Sequence, residues 1–336
     1  MNETRNILVI RLKSIGDILL TLPAVQRLRD NFPHARLSFL TSKEHAPLLR
    51  GFAEVNDVIV LDRALYRQKS LPAICSHTFE LIRRLRAGRF SLVVDFQGYG
   101  ETALLTWTTR APQRWGSIYR QSRAWAYTHG VRRNDAIHPA DWNLSLLEQC
   151  GLPAGHIRNE FNLPQDPVES ALQFFTANGL SHASPTLFLQ PFTSSPQKNW
   201  PLGKFLAVAT HWRSRGVQVI FGGGPADRPA LETARLAGFP ISAGMPVLTT
   251  AGLMQMSSLI VGADTGLLHL AVAMGKRVVM LIASTVPGRT FPYQHADWAV
   301  TPDSGKPVSS TSIEAVIQAT AEALAEAGFA PSLVAT

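Results

Sequence analysis

Residues 258–284 constrain the fold more than any other stretch. Leu259-Ile260-Val261 is a short apolar run of strand type, and Val278-Val279-Met280-Leu281-Ile282 is a second. Between them Leu267 to Met274 has helical spacing, and Gly275 stands where a glycine ends a helix. Strand, turn, helix and strand in quick succession belong to an α/β fold. The turn Gly262-Ala263-Asp264-Thr265-Gly266 joins a strand's C-terminal end to a helix N-terminus. In an open α/β sheet ligands bind there, and the free N–H groups of the helix suit an anion. The plainer reading of the same residues is that Asp264 or Thr265 caps the helix.

The same alternation runs along the whole chain. Residues 6–12 read as a strand that enters the turn Lys13-Ser14-Ile15-Gly16-Asp17. Pro23 suits the first position of a helix and not its middle, so a short turn after Asp17 and a main helix from Pro23 are expected. Strands follow at 36–40 and 57–61 with a short helix at 45–51 between them. A basic amphipathic helix is expected at 77–87 and a buried strand at 91–96. Residues 97–160 are less regular and hold Trp107, Trp115, Trp125 and Trp142. They read either as helices closing the first sheet or as the lining of a groove. Residues 162–167 read as a linker, followed by a helix at 168–178. Strands at 186–190 and 218–221, helices at 205–215 and 228–237, a helix containing 253–256 and a final helix at 312–327 complete the pattern. Alternating strands and helices predict parallel sheets covered on both faces, here as two Rossmann-like domains facing each other.

With 336 residues the chain has room for two domains, and 46% hydrophobic and 17% charged residues describe a globular protein with a substantial core. No apolar run approaches the roughly 18 residues of a membrane span, and the first apolar block has no signal-peptide character. Cys75 and Cys150 make neither a disulfide framework nor a metal-ligand spacing, and a cytoplasmic location is expected. Charge is uneven. Residues 1–135 hold 21 Lys and Arg against 11 Asp and Glu, a balance of +10, whereas the remainder holds 11 against 13. The first half therefore suits an anionic partner, such as an acidic glycan, a membrane surface or nucleic acid. No zinc-finger spacing or RNA-binding aromatic motif supports the last, and no nucleic-acid partner is expected.

Four loops after strands of the second half should cluster at one sheet edge. Thr193, Ser194 and Lys198 offer hydroxyls and an ammonium to phosphate oxygens. Gly222-Gly223-Gly224 permits close backbone approach, and Asp227 can accept from ribose hydroxyls. Met245 can pack on a base or simply fill the core. The fourth loop carries Asp264, Thr265 and Gly266, with His269 one helical turn on. Together they describe a nucleoside-diphosphate site better than any does singly. In the first half, Asp17 sits directly after a strand, placed either as a general base or as a helix cap. No Asp-x-Asp pair occurs, so a metal-bridged diphosphate is not expected and leaving-group charge falls to Lys198, backbone N–H groups and helix dipoles.

Three segments in this order, Lys13-Ser14-Ile15-Gly16-Asp17-Ile18-Leu19-Leu20-Thr21-Leu22-Pro23, Lys198-Asn199-Trp200-Pro201 and Asp264-Thr265-Gly266-Leu267-Leu268-His269-Leu270-Ala271, resemble glycosyltransferase family 9, the lipopolysaccharide heptosyltransferases. The resemblance implies a GT-B architecture with a deep interdomain cleft. It places an acceptor-binding domain at 1–165, a nucleotide-sugar domain at 166–311, and a C-terminal helix at 312–336 crossing back to the first domain. It implies Asp17 as the catalytic base. Thr193, Ser194 and Lys198 would touch phosphate, Asp227 ribose and Met245 adenine, with Asp264, Thr265, Gly266 and His269 at the sugar and diphosphate. The expected reaction is an inverting, metal-independent transfer of heptose from ADP-heptose to a lipopolysaccharide core, with no cofactor beyond the donor. Its acceptor would be an acidic lipid-linked glycan met at the anionic inner face of the inner membrane, with Arg63, Arg67 and Lys69 as contacts. The chain departs from the family pattern at Ala283-Ser284-Thr285-Val286-Pro287 and at His138-Pro139-Ala140-Asp141-Trp142. A GT-B enzyme with another donor, an epimerase, or a non-catalytic nucleotide- or glycan-binding protein are the alternative readings.

Overall fold

The computed structural model describes residues 5–67, 71–283 and 290–329. The chain forms two compact units, Met1–Asn162 and Leu163–Thr336, dividing three residues before the expected boundary. The first contains β1 (Asn6–Ile10), α1 (Ile15–Leu19), α2 (Leu22–Asn31), β2 (Arg36–Ser42), β3 (Asp57–Leu61), α3 (Leu71–Ala87), β4 (Leu92–Asp95), α4 (Gly100–Thr108), β5 (Gln113–Ile118), β6 (His129–Arg132) and α5 (Pro139–Gln149). The second contains α6 (Gln165–Ala177), β7 (Thr186–Gln190), α7 (Leu202–Arg213), β8 (Gln218–Phe221), α8 (Arg228–Leu236), α9 (Val247–Met256), β9 (Leu259–Ala263), α10 (Gly266–Ala273), β10 (Val278–Leu281), β11 (Ala299–Val300) and α11 (Ile313–Glu326).

All six strands of the first sheet are parallel, in the order β3-β2-β1-β4-β5-β6. That is the strand order of a Rossmann fold, which reverses direction between β1 and β4. β1 and β4 are apolar almost throughout because helices cover both faces of the sheet. Asp95, at the end of β4, is fully buried among these residues and fully partnered. One oxygen accepts from the N–H groups of Gln97 and Gly98, the other from the Tyr127 hydroxyl at 2.7 Å. Burial pushes its carboxyl above the usual range even against those bonds.

Pro23 lies in the first turn of α2, as its missing N–H requires. Residues 43–51 form a 3-10 helix rather than an α-helix, with Pro47 inside it. α3 begins six residues before the expected start. The Trp-rich segment supplies two helices and also two strands, β5 and β6, that extend the sheet. Of its tryptophans, Trp115 and Trp142 are buried, whereas Trp107 and Trp125 are exposed.

The second sheet is also parallel, in the order β11-β10-β9-β7-β8, with its reversal between β7 and β9. Every residue of β7 and β9 is buried. α6 starts inside the expected linker and packs on α9, both in this unit. The expectation that the last helix returns to the first domain is corrected. Val316, Ala323 and Leu324 of α11 are buried in the second unit's core with Leu259, Val261, Val279 and Leu281. Its apolar stripe is satisfied there, and Arg277 beside β10 pairs with Glu326 near its end (2.9 Å).

Candidate functional site

In the second unit the loops that leave β7 and β9 meet at the point where strand order reverses, the position at which open sheets take ligands. Lys198 comes from the β7 loop, and its Nζ donates to Asp264 Oδ2 at 2.7 Å. Asp264 follows β9 directly. Its other oxygen, Oδ1, lies 3.2 Å from His269 Nε2, and Thr290 donates its hydroxyl to Oδ2 at 2.8 Å. The carboxylate only accepts, so the imidazole proton sits on Nε2. In the neutral ring Nδ1 is then a bare acceptor, and it is buried without a partner. Asp264 is mostly buried, which pushes its carboxyl up. The hydrogen bonds from His269 and Lys198, with the Lys198 charge, outweigh that and hold it well below the usual carboxylate range. Lys198 keeps half its side chain exposed at 53%, against 15% for Asp264. It is therefore a water-facing cation anchored from below.

Thr265 is the N-cap of α10, its hydroxyl accepting from Leu267 N–H at 3.1 Å. Gly266 occupies the first helical position, where an N–H has no intrahelical carbonyl to reach. Thr193 spends its hydroxyl within its own loop, donating to the Ser195 carbonyl (2.7 Å) and accepting from Ser195 N–H. Ser194 is exposed. In the loop after β8, Asp227 Oδ2 accepts from Gly224 N–H at 2.8 Å, a turn-capping bond. Met245 is half-buried in the next loop, which joins the glycine turn through Gly244 N–H to the Gly223 carbonyl (2.9 Å). Gly222 cannot carry a side chain. A Cβ there would lie 2.4 Å from the Phe188 ring and 2.7 Å from Gln190 Oε1. The structure thus joins Lys198, Asp264 and His269 directly, and ties the Asp227 loop to the Met245 loop along the same edge.

Beside Lys198 and Asp264 opens a cavity of about 260 Å³, with Gln197 and Thr290 adding polar atoms and Leu281, Ile282 and Val308 an apolar wall. It is smaller than the roughly 300–1,000 Å³ of a whole small-molecule site, and suits one ring or one charged group. Sequence reasoning missed Thr290, 26 residues from its partner. Within the segment 283–287, residues 284–287 lie outside the described residues. Among the described residues no group of three or more His, Cys, Asp or Glu is placed to hold a metal ion.

In the first unit Asp17 stands at the other reversal point, past the end of β1. Arg11 Nη2 pairs with its Oδ1 at 2.7 Å, and Oδ2 accepts from Ser14 N–H (3.1 Å) and Ser14 Oγ (3.2 Å). Asp17 is the third residue of α1 and closes its first turn, which is the capping role of the two expected. Arg11 is itself held by the Phe96 carbonyl at 2.6 Å, and Gln97 Oε1 accepts from Leu12 N–H at 2.8 Å. These bonds fix the turn that presents Asp17, whose side chain stays 42% exposed. Neither Arg11 nor Gln97 was marked by the sequence. Arg63 lies 3.5 Å from Glu101, an ion pair rather than a free cation. The side chain of Arg67 and the whole of Lys69 lie outside the described residues. The departure at 138–142 is the start of α5, where the His138 ring accepts from Ala140 N–H.

The sequence profile of glycosyltransferase family 9 (heptosyltransferase) matches residues 78–314. Among similar proteins, lipopolysaccharide core heptosyltransferase OpsX of Haemophilus influenzae is 22% identical over 87% of this chain and 83% of its own length. Lipopolysaccharide heptosyltransferase 3 of Escherichia coli is 27% identical over 80% of each. A solved glycosyltransferase of family 9 from Veillonella parvula superposes with a TM-score of 0.86 at 22% identity, covering 97% of this chain and 99% of that one. Escherichia coli ADP-heptose lipopolysaccharide heptosyltransferase II superposes with a TM-score of 0.79 at 20% identity, covering 96% and 100%. The fold is GT-B, with two Rossmann-like domains.

Proposed function

The chain belongs to glycosyltransferase family 9 and is a glycosyltransferase, and from that premise we propose that it transfers a heptose from ADP-heptose to a hydroxyl of a lipopolysaccharide core. The names of its relatives support the donor and acceptor. The observation that carries the reading is the Lys198–Asp264 pair at the strand reversal of the second sheet, beside the glycine turn.

In this mechanism the diphosphate takes the exposed ammonium of Lys198 and the first-turn N–H groups of α10, with Ser194 and Thr193 beside them. The hydrogen-bonded trio of Asp264, His269 and Thr290 fixes the angle of that cradle. Asp227 keeps one carboxylate oxygen for the ribose, and Met245 packs on the adenine. Asp17 removes the acceptor's hydroxyl proton as that oxygen attacks the anomeric carbon; the C–O bond to the diphosphate breaks and ADP leaves with its electron pair. Attack opposite the leaving group inverts the anomeric centre. Charge on the departing ADP is met by Lys198 and backbone dipoles, with no metal in the step. Arg63, Arg67 and Lys69 are proposed to meet the acidic acceptor, which is lipid-linked, so the enzyme works peripherally at the inner membrane's cytoplasmic face.

Incubation with ADP-heptose and a heptose-free core acceptor tests this. The reading expects ADP release matched one to one by an acceptor gaining one heptosyl unit. Nucleotide binding without a product would favour a binding protein instead. Preference for UDP or GDP would move the donor to another class.

A further inference from the structure

We propose that the outward face of α4, with the 3-10 turn at Gln121–Ala126, is the surface by which this chain docks on an anionic lipid bilayer. This rests on the reading above that the acceptor is lipid-linked. Leu104 and Trp107, one helical turn apart, are 50% and 51% exposed, whereas Thr102, Ala103, Leu105, Thr106 and Thr108 of the same helix are buried. The Trp107 ring meets that of Trp125, itself 55% exposed, edge to face with centroids 5.8 Å apart. Two large aromatics packed on each other and left facing water mark an interaction surface rather than a stray exposed residue. Indole, apolar with one N–H donor, is the side chain enriched at the bilayer–water boundary.

Cations frame the strip at both ends. Arg110 lies two residues past the end of α4, its N–H bonded to the Trp107 carbonyl at 3.1 Å, and Arg86 of α3 reaches the Thr108 carbonyl with Nε at 3.3 Å. Arg83 and Phe79 share that side of α3 at helical spacing, both exposed. At the other end Arg123 Nη1 donates to the Gly98 carbonyl at 2.9 Å. The acid on the stripe, Glu101, is paired with Arg63. An aromatic strip flanked by guanidinium groups complements anionic headgroups over an apolar interior, each cation adding to the attraction. α4 also starts at the β1/β4 edge that carries Asp17, so docking here would bring that edge to the headgroup level.

The test is co-sedimentation of the full chain with vesicles of phosphatidylglycerol and phosphatidylethanolamine, against phosphatidylcholine alone. The expected result is binding to the anionic vesicles only. Trp107→Ser with Trp125→Ser should weaken it about tenfold or more, and Arg83→Gln and Arg110→Gln about fivefold each. ADP affinity and transfer to a water-soluble, delipidated acceptor should be unchanged in every variant, which also shows that each folds. Wild-type binding by the double tryptophan variant would overturn the proposal. So would a wild-type dimer that the same variant dissolves, since the face would then belong to a second copy of this chain. Vesicle binding without any transfer by the wild type would sink the functional reading and leave the docking surface standing.

Discussion

Asp264→Asn is the most informative single change, because one carboxylate holds three partners and the amide cannot hold them all. If the amide nitrogen faces His269, its ring must accept at Nε2 and carry its proton on the buried, partnerless Nδ1. If it faces the other way, its donors oppose the Lys198 ammonium and the Thr290 hydroxyl. The His269 bond is buried and made to a charged acceptor, about 1.5–3 kcal/mol. The Lys198 pair is half-exposed and water-screened, about 0.5–1 kcal/mol. The variant should therefore destabilise the second unit by roughly 2–4 kcal/mol. Hydrogen exchange on peptides of β7 and β9 in graded urea reports that unit's opening separately from the first unit's. The effect should also depend on pH with a definite sign. The folded state holds the Asp264 carboxyl below its ordinary value, so its contribution is full above about pH 4 and is lost as pH falls through the folded value. The gap between wild type and variant should stay constant from neutral pH to about 5 and narrow below about 4. A loss under about 0.5 kcal/mol, or a gap that widens in acid, would show that the Asp264 carboxylate does not hold these partners together.

Other outcomes follow from the same geometry. Asp17→Asn should lower kcat by about 10²–10⁴-fold while leaving ADP affinity unchanged, measured by coupled ADP release and by calorimetry. Gly222→Ala, with a Cβ 2.4 Å from the Phe188 ring, should cost about 1–3 kcal/mol in urea unfolding. Thr290→Val removes one donor from Asp264 Oδ2 and should cost about 1 kcal/mol, read by the same hydrogen exchange on β9.

The strands read most directly from the sequence are those where burial on both sides leaves an unbroken apolar run, although the edge strands β3 and β8 are also read. β1, β4, β7, β9 and β10 are such strands, and the loops after β7 and β9 follow from them. β6 and β11 escaped notice as short edge strands, and β5, paired between β4 and β6, because polar residues interrupt its apolar pattern. Gln113-Arg114 opens β5, β6 is His-Gly-Val-Arg, and β11 has only two residues. The last helix was assigned to the wrong unit because its apolar stripe specifies that it must be covered, not by what. In the second unit's site, Lys198, Asp264 and His269 were legible as residue types in suspect loops, but their mutual bonds were not. Arg11 and Thr290 carried no signal. A buried arginine beside a strand and a threonine in a loop acquire meaning only from the carboxylates that the fold brings to them.

On the proposed function, the β7/β9 edge of the second sheet binds a nucleoside diphosphate through Lys198, and calorimetric titration of ADP into the wild type and Lys198→Ala probes that contact. Removing a charge-assisted contact of about 1.5–3 kcal/mol predicts ADP affinity weakened roughly 10–150-fold, with the variant's thermal stability nearly unchanged. Equal affinity of the two proteins for ADP would contradict it.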